Sequence, residues 1–326
     1  MAEPIVEPIE GFALNNNKQE KRSNLFSKIG VVGCGRDGQM IVALAALAGI
    51  EVLFIEIEEA RLNRAFMKIE RFLDSQIETW GLTTSEKRAT LSKITGSLDM
   101  TDLKDCEFVV ECIRYDDETG ERSTRLRQSV FKQLEDILSP EAVIATNATT
   151  VIISELSAAL EYKSRCLSLH FMISHPEARI IEVVKGMYTS DEVYEKVKLF
   201  AQLIKFTPIE VSESNGLVAQ RLLVVMLNEA CQMLMENTAD LEGIDKIFTL
   251  GFGQRVGVFR MADIIGIEKI VMLMEDMFNE YGDKRYKPSP ILWRMYRSKH
   301  LGVSVNKGFY LYEGGKPIGP NPRFQK

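Results

Sequence analysis

The stretch from Lys28 to Glu56 most constrains what this chain can fold into. It reads Lys28-Ile29-Gly30-Val31-Val32, then Gly33-Cys34-Gly35-Arg36-Asp37-Gly38, an Ala- and Leu-rich run to Gly49, and Glu51-Val52-Leu53-Phe54-Ile55-Glu56. An apolar strand, a glycine turn, a helix and a second strand ending in a carboxylate form the order that a dinucleotide-binding βαβ unit needs. Gly33 permits the tight turn, Gly35 lets the backbone approach a pyrophosphate with no Cβ in the way, and Gly38 lets the helix pack closely on the strand. The helix N-terminus then faces the phosphates with free N–H groups.

Glu56 lies 21 positions after Gly35, where a carboxylate accepts hydrogen bonds from the adenosine ribose hydroxyls and repels a 2′-phosphate, so NAD is favoured over NADP. An isolated glycine turn would be weak ground for this reading. Here the turn, helix, second strand and terminal acid stand in register.

With 326 residues, the chain has room for two domains. A net charge of −6 and a charged fraction of 26% describe a soluble surface, and no strongly basic stretch points to nucleic acid. Cys34, Cys106, Cys112, Cys166 and Cys231 are scattered through mostly apolar runs with no CxxC pair or metal-ligand spacing, which reads as buried thiols in a reducing compartment. The first 27 residues lack a continuous apolar core and carry four Glu, unlike a secretory or transit peptide, and no run has the length of a membrane span. These features together predict a cytoplasmic protein.

Residues 1–26 mix Pro, Asn, Lys and Glu without a period and are expected to form a mobile tail, unless Ile5, Val6, Ile9 and Phe12 dock on a neighbour. A nucleotide domain is expected over 27–211. Within it, Leu62, Phe66, Ile69, Leu73 and Ile77 step by three or four and predict one amphipathic helix from Glu58 to Gly81, with a second near Ser85 to Leu91 packed back on it. Arg64, Lys68 and Arg71 share one face of the first helix, which reads foremost as solvated surface and secondarily as a contact for phosphates. Strands are expected at Phe108–Ile113, Ala142–Ala145, Leu167–His170, Ile180–Val184 and Phe206–Val211, and Thr146-Asn147-Ala148-Thr149-Thr150 is a polar turn at a strand's carboxyl end, where open α/β sheets bind ligands. From residue 212 to 326 the pattern is helical.

Only three histidines occur. His300 sits in a polar run and His175 in a loop, whereas His170 closes an apolar strand. Twelve residues on, Glu182 lies inside the apolar run Ile180–Val184, where an unpaired acid is costly to bury. A His170–Glu182 pair resolves that cost and fixes one imidazole tautomer, which suits His170 to general-base work. A purely structural pair is the rival reading.

The glycine fingerprint, the Thr146–Thr150 turn, His170-Phe171 with Pro176, Ile181-Glu182-Val183-Val184, Gly216-Leu217-Val218-Ala219-Gln220-Arg221-Leu222-Leu223, Pro288-Ser289-Pro290 and Lys307-Gly308-Phe309-Tyr310 together resemble the L-3-hydroxyacyl-CoA dehydrogenases, in order from Lys28 to Tyr312. The resemblance implies a Rossmann-type, doubly wound and mainly parallel sheet with an inserted helical pair, then an all-α domain that builds a homodimer. It implies NAD-linked interconversion of 3-hydroxyacyl-CoA and 3-oxoacyl-CoA, in fatty acid or butanoate metabolism. His170 would be the base, Glu182 its orienter, and Thr149 and Gln220 polar contacts to the C3 oxygen. Gly33, Gly35, Gly38, Glu56, Asn147 and Arg127 would meet the cofactor, and the inserted helices would hold the CoA adenosine.

Several positions depart from the family pattern. Ile173 and Gln220 replace asparagines, Tyr115 with Asp116 replaces the glutamate of a Glu-Asn pair, Arg127 replaces a lysine, and Val303-Ser304-Val305 replaces basic residues. Losing a positioned donor costs about 10²-fold or more in rate. Two rival readings therefore carry their own expectations: a relative that binds NAD or acyl-CoA without turnover, and a dehydrogenase of a free hydroxy acid that needs no CoA.

Overall fold

Consecutive rather than alternating apolar residues mark strands covered on both faces, and the first part of the chain is built from such strands. In the computed structural model, β1 (Lys28–Val32), β2 (Glu51–Ile55), β3 (Ile94–Ser97), β4 (Phe108–Glu111), β5 (Val143–Thr146) and β6 (Cys166–Phe171) run parallel. β7 (Ile180–Lys185) turns antiparallel to β6, and β8 (Thr207–Ser212) follows β7 in parallel. The order across the sheet is β3-β2-β1-β4-β5-β6-β7-β8. Successive side chains enter opposite layers: Ile29, Val31, Phe108 and Val110 join one core, and Val32, Val109 and Ile144 the other. Strand order reverses between β1 and β4, so the ligand crevice of such a sheet lies at their carboxyl ends.

Helix α1 (Arg36–Leu47) follows the glycine turn, and its Ala43, Ala45 and Ala46 are buried, small enough for the helix to lie close on the sheet. The inserted pair is present as α2 (Glu59–Trp80) and α3 (Thr84–Leu91). A reciprocal cap starts α3: the Thr83 hydroxyl accepts from Glu86 N at 3.2 Å while the Glu86 carboxylate accepts from Thr83 N at 2.8 Å. Lys87 then ties α3 back to Glu70 and Asp74 of α2 at 3.0 and 2.6 Å.

The structure describes residues 25–80, 82–113, 123–172 and 179–324, in two compact units that divide between Glu213 and Ser214. The expected boundary at Val211 falls short of this because β8 extends to Ser212. Of the tail expected over 1–26, residues 1–24 lie outside the described chain, and Phe26 does not behave as tail. It is 1% exposed and stacks on Phe108 and Phe200, with ring centroids 5.1 and 5.9 Å away. Tyr115, Asp116, Ile173 and His175 also lie outside the described residues.

The second unit is helical, with α4 (Ala219–Glu236), α5 (Val258–Ile265), α6 (Ile267–Tyr281) and α7 (Pro290–Arg297) around a core that includes Val224, Leu227, Phe259, Val271 and Leu292. It is not wholly helical, as the sequence pattern had implied. β9 (Tyr310–Glu313) and β10 (Lys316–Pro320) form an antiparallel hairpin. The alternation of buried Tyr310 and Tyr312 favours a strand, and Gly314-Gly315 supplies the two positive φ angles, 55° and 78°, of a tight hairpin turn. Asp263 anchors the hairpin by accepting from Phe309 N, Tyr310 N and the Tyr312 hydroxyl, each at 2.9 Å. Among the described residues, no helix is long and apolar enough to cross a membrane.

Candidate active site

The glycine turn adopts the conformation its sequence requires. Gly33 has φ of +88°, a Cβ on Gly38 would sit 2.3 Å from the Gly33 carbonyl oxygen, and a Cβ on Gly35 would meet nothing within 4 Å. Gly33 and Gly38 are therefore fixed by the protein's own packing. Gly35 instead borders open space, as a residue that makes room for a ligand must. That space is a cleft of about 820 Å³ walled by Gly33, Cys34, Gly35, Gln39, Glu56 and Ile113 among others. Glu56 is 8% exposed, and its Oε1 accepts from Cys34 N at 2.8 Å, which holds the carboxylate against the turn. An open glycine cradle, a helix start with no side-chain cap and a fixed carboxylate on one wall fit a dinucleotide without a 2′-phosphate. Burial, with Glu56 beside it, pushes the Cys34 thiol far up, so it stays neutral in this wall. Arg64 and Lys68 of α2 also border the cleft, and Arg64 forms an ion pair with Glu58 at 3.3 Å.

At the next strands, β6 and β7 place His170 and Glu182 directly opposite each other in antiparallel register. Their side chains meet with Nδ1 and Oε2 2.5 Å apart, at 7% and 2% exposure. A carboxylate accepts only, so Nδ1 carries the proton and Nε2 the lone pair.

The Thr146–Thr150 turn stands beside this pair. Asn147 is held from three sides: its N–H donates to Glu111 O at 2.8 Å, its Oδ1 accepts from Phe171 N at 3.3 Å, and its Nδ2 donates to Asp37 Oδ2 at 3.4 Å. The last bond links the turn to the first turn of α1. The Ser168 hydroxyl on β6 has its one proton within reach of both the Thr146 and Ala148 carbonyls, at 3.2 and 3.3 Å. Thr149 is half-buried two positions beyond Asn147.

Arg127 is buried, donates to Ile113 O, and has Nη1 3.7 Å from Glu111 Oε2, so its guanidinium is held at the end of β4 beside the cleft-lining Ile113. Gln220 belongs to the second unit, in the first turn of α4. Glu111 and Gln39 were not singled out from sequence. Gln39 lines the cleft and donates to Cys34 O at 2.8 Å. Glu111 is fully buried at the end of β4, and the signal for it was available: an acid closing an apolar run, as at Glu56. Among the described residues, no cluster of His, Cys, Asp and Glu is placed to hold a metal ion.

The arrangement joins a dinucleotide cleft to an oriented imidazole on one sheet, the components of hydride transfer coupled to proton removal. The comparisons agree. Residues 28–214 match the family model of the 3-hydroxyacyl-CoA dehydrogenase NAD binding domain, and residues 216–312 that of the 3-hydroxyacyl-CoA dehydrogenase C-terminal domain. A probable 3-hydroxybutyryl-CoA dehydrogenase of Deinococcus radiodurans is 33% identical, covering 87% of this chain and 100% of the relative. A 3-hydroxybutyryl-CoA dehydrogenase of Bradyrhizobium diazoefficiens is 31% identical over 90% of this chain and 98% of the relative. The crystal structure of FadB2 from M. tuberculosis superposes with a TM-score of 0.83 at 28% identity, covering 88% of this chain and 99% of that one. This chain belongs to the 3-hydroxyacyl-CoA dehydrogenase family.

Proposed function

We propose that this protein interconverts L-3-hydroxyacyl-CoA and 3-oxoacyl-CoA with NAD, and that His170 is its general base. The buried His170–Glu182 pair, opposite in register on the same sheet whose β1 and β4 ends border the dinucleotide cleft, carries this reading. In the oxidation direction, His170 Nε2 takes the proton of the C3 hydroxyl as the carbonyl forms. Glu182 accepts from Nδ1–H throughout and stabilises the imidazolium. Thr149 and Gln220 donate to the C3 oxygen. Gly33, Gly35 and the start of α1 would hold the pyrophosphate of NAD, Glu56 its adenosine ribose and Asn147 a further part of it, and the bound NAD⁺ would supply the hydride acceptor.

The same reading includes a cytoplasmic homodimer, acting in fatty acid or butanoate metabolism and assembled through the C-terminal helices. Leu222 and Met226 support the dimer: they stand one turn apart on α4 at 61% and 42% exposure, an apolar pair turned to solvent. Light scattering on wild type and Leu222→Glu tests it, with a dimer expected for the first and a monomer for the second. The activity itself is tested by NADH oxidation with acetoacetyl-CoA. General-base catalysis is worth about 10²- to 10⁴-fold, so His170→Ala should lose turnover by that factor and still bind NADH. Unchanged turnover in that variant would sink the assignment.

A further inference from the structure

Glu111 is fully buried at the carboxyl end of β4, on the side of the cleft where the sheet order turns toward β5. A buried carboxylate is stable only when its oxygens are fully engaged, and these are. Oε1 accepts from Ile113 N at 2.5 Å, Oε2 accepts from the Thr146 hydroxyl at 2.6 Å, and Arg127 Nη1 stands 3.7 Å from Oε2. A hydroxyl has one proton. Having given it to Glu111, Thr146 Oγ1 presents lone pairs on its other side, and Ala148 N donates to it at 3.1 Å. The carboxylate thus dictates the direction of the next hydrogen bond, which falls on the residue before Thr149. The Glu111 backbone takes part as well, because its carbonyl accepts from Asn147 N at 2.8 Å. On the opposite side, a Cβ added to Gly33 would meet the Cys112 carbonyl and Ile113 nitrogen at 3.3 Å, so the segment that Glu111 holds also abuts the glycine turn.

We propose that Glu111, acting through the Thr146 hydroxyl, is the positioning residue that sets the Asn147-Ala148-Thr149 turn at the reacting end of the cleft. It does not touch substrate. Its charge is what makes Thr146 a donor toward the core and an acceptor toward Ala148, and with Arg127 it fixes where β4 ends. This deepens the dehydrogenase reading above and rests on it.

The test compares Glu111→Gln, Thr146→Val and Thr146→Ser with wild type in acetoacetyl-CoA reduction, NADH titration and amide hydrogen exchange. A lost charge-assisted hydrogen bond predicts a fall in kcat of about tenfold or more for Glu111→Gln and Thr146→Val, with NADH affinity within about threefold. Thr146→Ser, which keeps the hydroxyl, should recover most of the loss. The Ala148 amide should exchange about tenfold faster or more in both impaired variants. The kcat loss of Glu111→Gln should also not add to that of Thr149→Val, since both act at one contact. Folded variants with wild-type kcat, losses that add fully to Thr149→Val, or unchanged Ala148 exchange would overturn the proposal. Thr146→Val carries the test alone if Glu111→Gln does not fold. An inactive wild type would overturn the dehydrogenase reading instead, and hydrogen exchange would still decide the role of Glu111.

Discussion

Replacing Glu182 by glutamine keeps the shape of the side chain and removes the charge that faces His170. In the structure Oε2 lies 2.5 Å from Nδ1, and both residues are almost fully excluded from solvent. The hydrogen bond should therefore change from charge-assisted to neutral at the step that creates the imidazolium. Hydrogen bonds to charged groups contribute about 1.5–3 kcal/mol and neutral ones about 0.5–1.5. The expected loss in the rate-setting step is on the order of 1–2 kcal/mol, or about 5- to 30-fold. A glutamine that turned its amide nitrogen toward the ring would favour the wrong tautomer, and the loss would then approach the about 10⁴-fold seen when a triad aspartate becomes asparagine. Stopped-flow NADH formation from 3-hydroxybutyryl-CoA, beside NADH binding by fluorescence, separates chemistry from cofactor affinity. The account predicts slower chemistry with unchanged NADH binding. Chemistry within twofold of wild type would refute it, since the buried charge would then have no part in stabilising the protonated ring.

Two glycines of the turn, Gly35 and Gly38, should separate by mechanism. Gly38→Ala places a Cβ 2.3 Å from the Gly33 carbonyl oxygen and should cost about 1–3 kcal/mol of stability by overpacking, read as a lowered Tm. Gly35→Ala meets nothing in the protein; its Tm should hold while NADH affinity drops about tenfold or more, the effect of a methyl in the pyrophosphate's path. Glu56→Ser should weaken NADH binding and narrow its preference over NADPH, measured by titration with both. Asp263 gives a pH prediction. Burial raises its carboxyl from 3.8 to about 7 against the opposing pull of its donors. The folded state holds this proton where the unfolded state has released it, so the group's contribution is greatest below the unfolded value and is lost as pH rises through about 7. The Tm of wild type relative to Asp263→Asn should therefore fall between about pH 4 and about pH 8, and a flat difference would count against a raised carboxyl.

Residues whose partners lie close in sequence, or whose chemistry is costly to bury, were legible before any coordinates. The glycine turn is one case, since Gly33 and Gly38 answer demands of the local backbone. His170 and Glu182 are another, because an acid in an apolar strand requires a partner and a hairpin-like reversal brings position 182 opposite position 170. The same reasoning extends to Glu111, but its partner Thr146 is 35 residues away on a neighbouring strand, and only the β4–β5 register brings them together. Phe26 was hidden by its polar surroundings. Its burial depends on Phe108 and Phe200, which no local pattern connects to it. Arg127 was expected at the cofactor through the family resemblance alone, and its bonds to Ile113 O and toward Glu111 at the end of β4 were not legible from sequence. The C-terminal hairpin did carry a sequence signal, the Gly-Gly turn after alternating tyrosines, and the helical periodicity before it masked that signal.

The most direct test of the central claim is NADH oxidation by the purified full chain with acetoacetyl-CoA, run beside His170→Ala and beside free acetoacetate. The account predicts turnover with the thioester, a loss of about 10²-fold or more in the variant with NADH binding retained, and little activity on the free acid. Equal turnover by wild type and His170→Ala, or equal use of acetoacetate and its CoA ester, would contradict it.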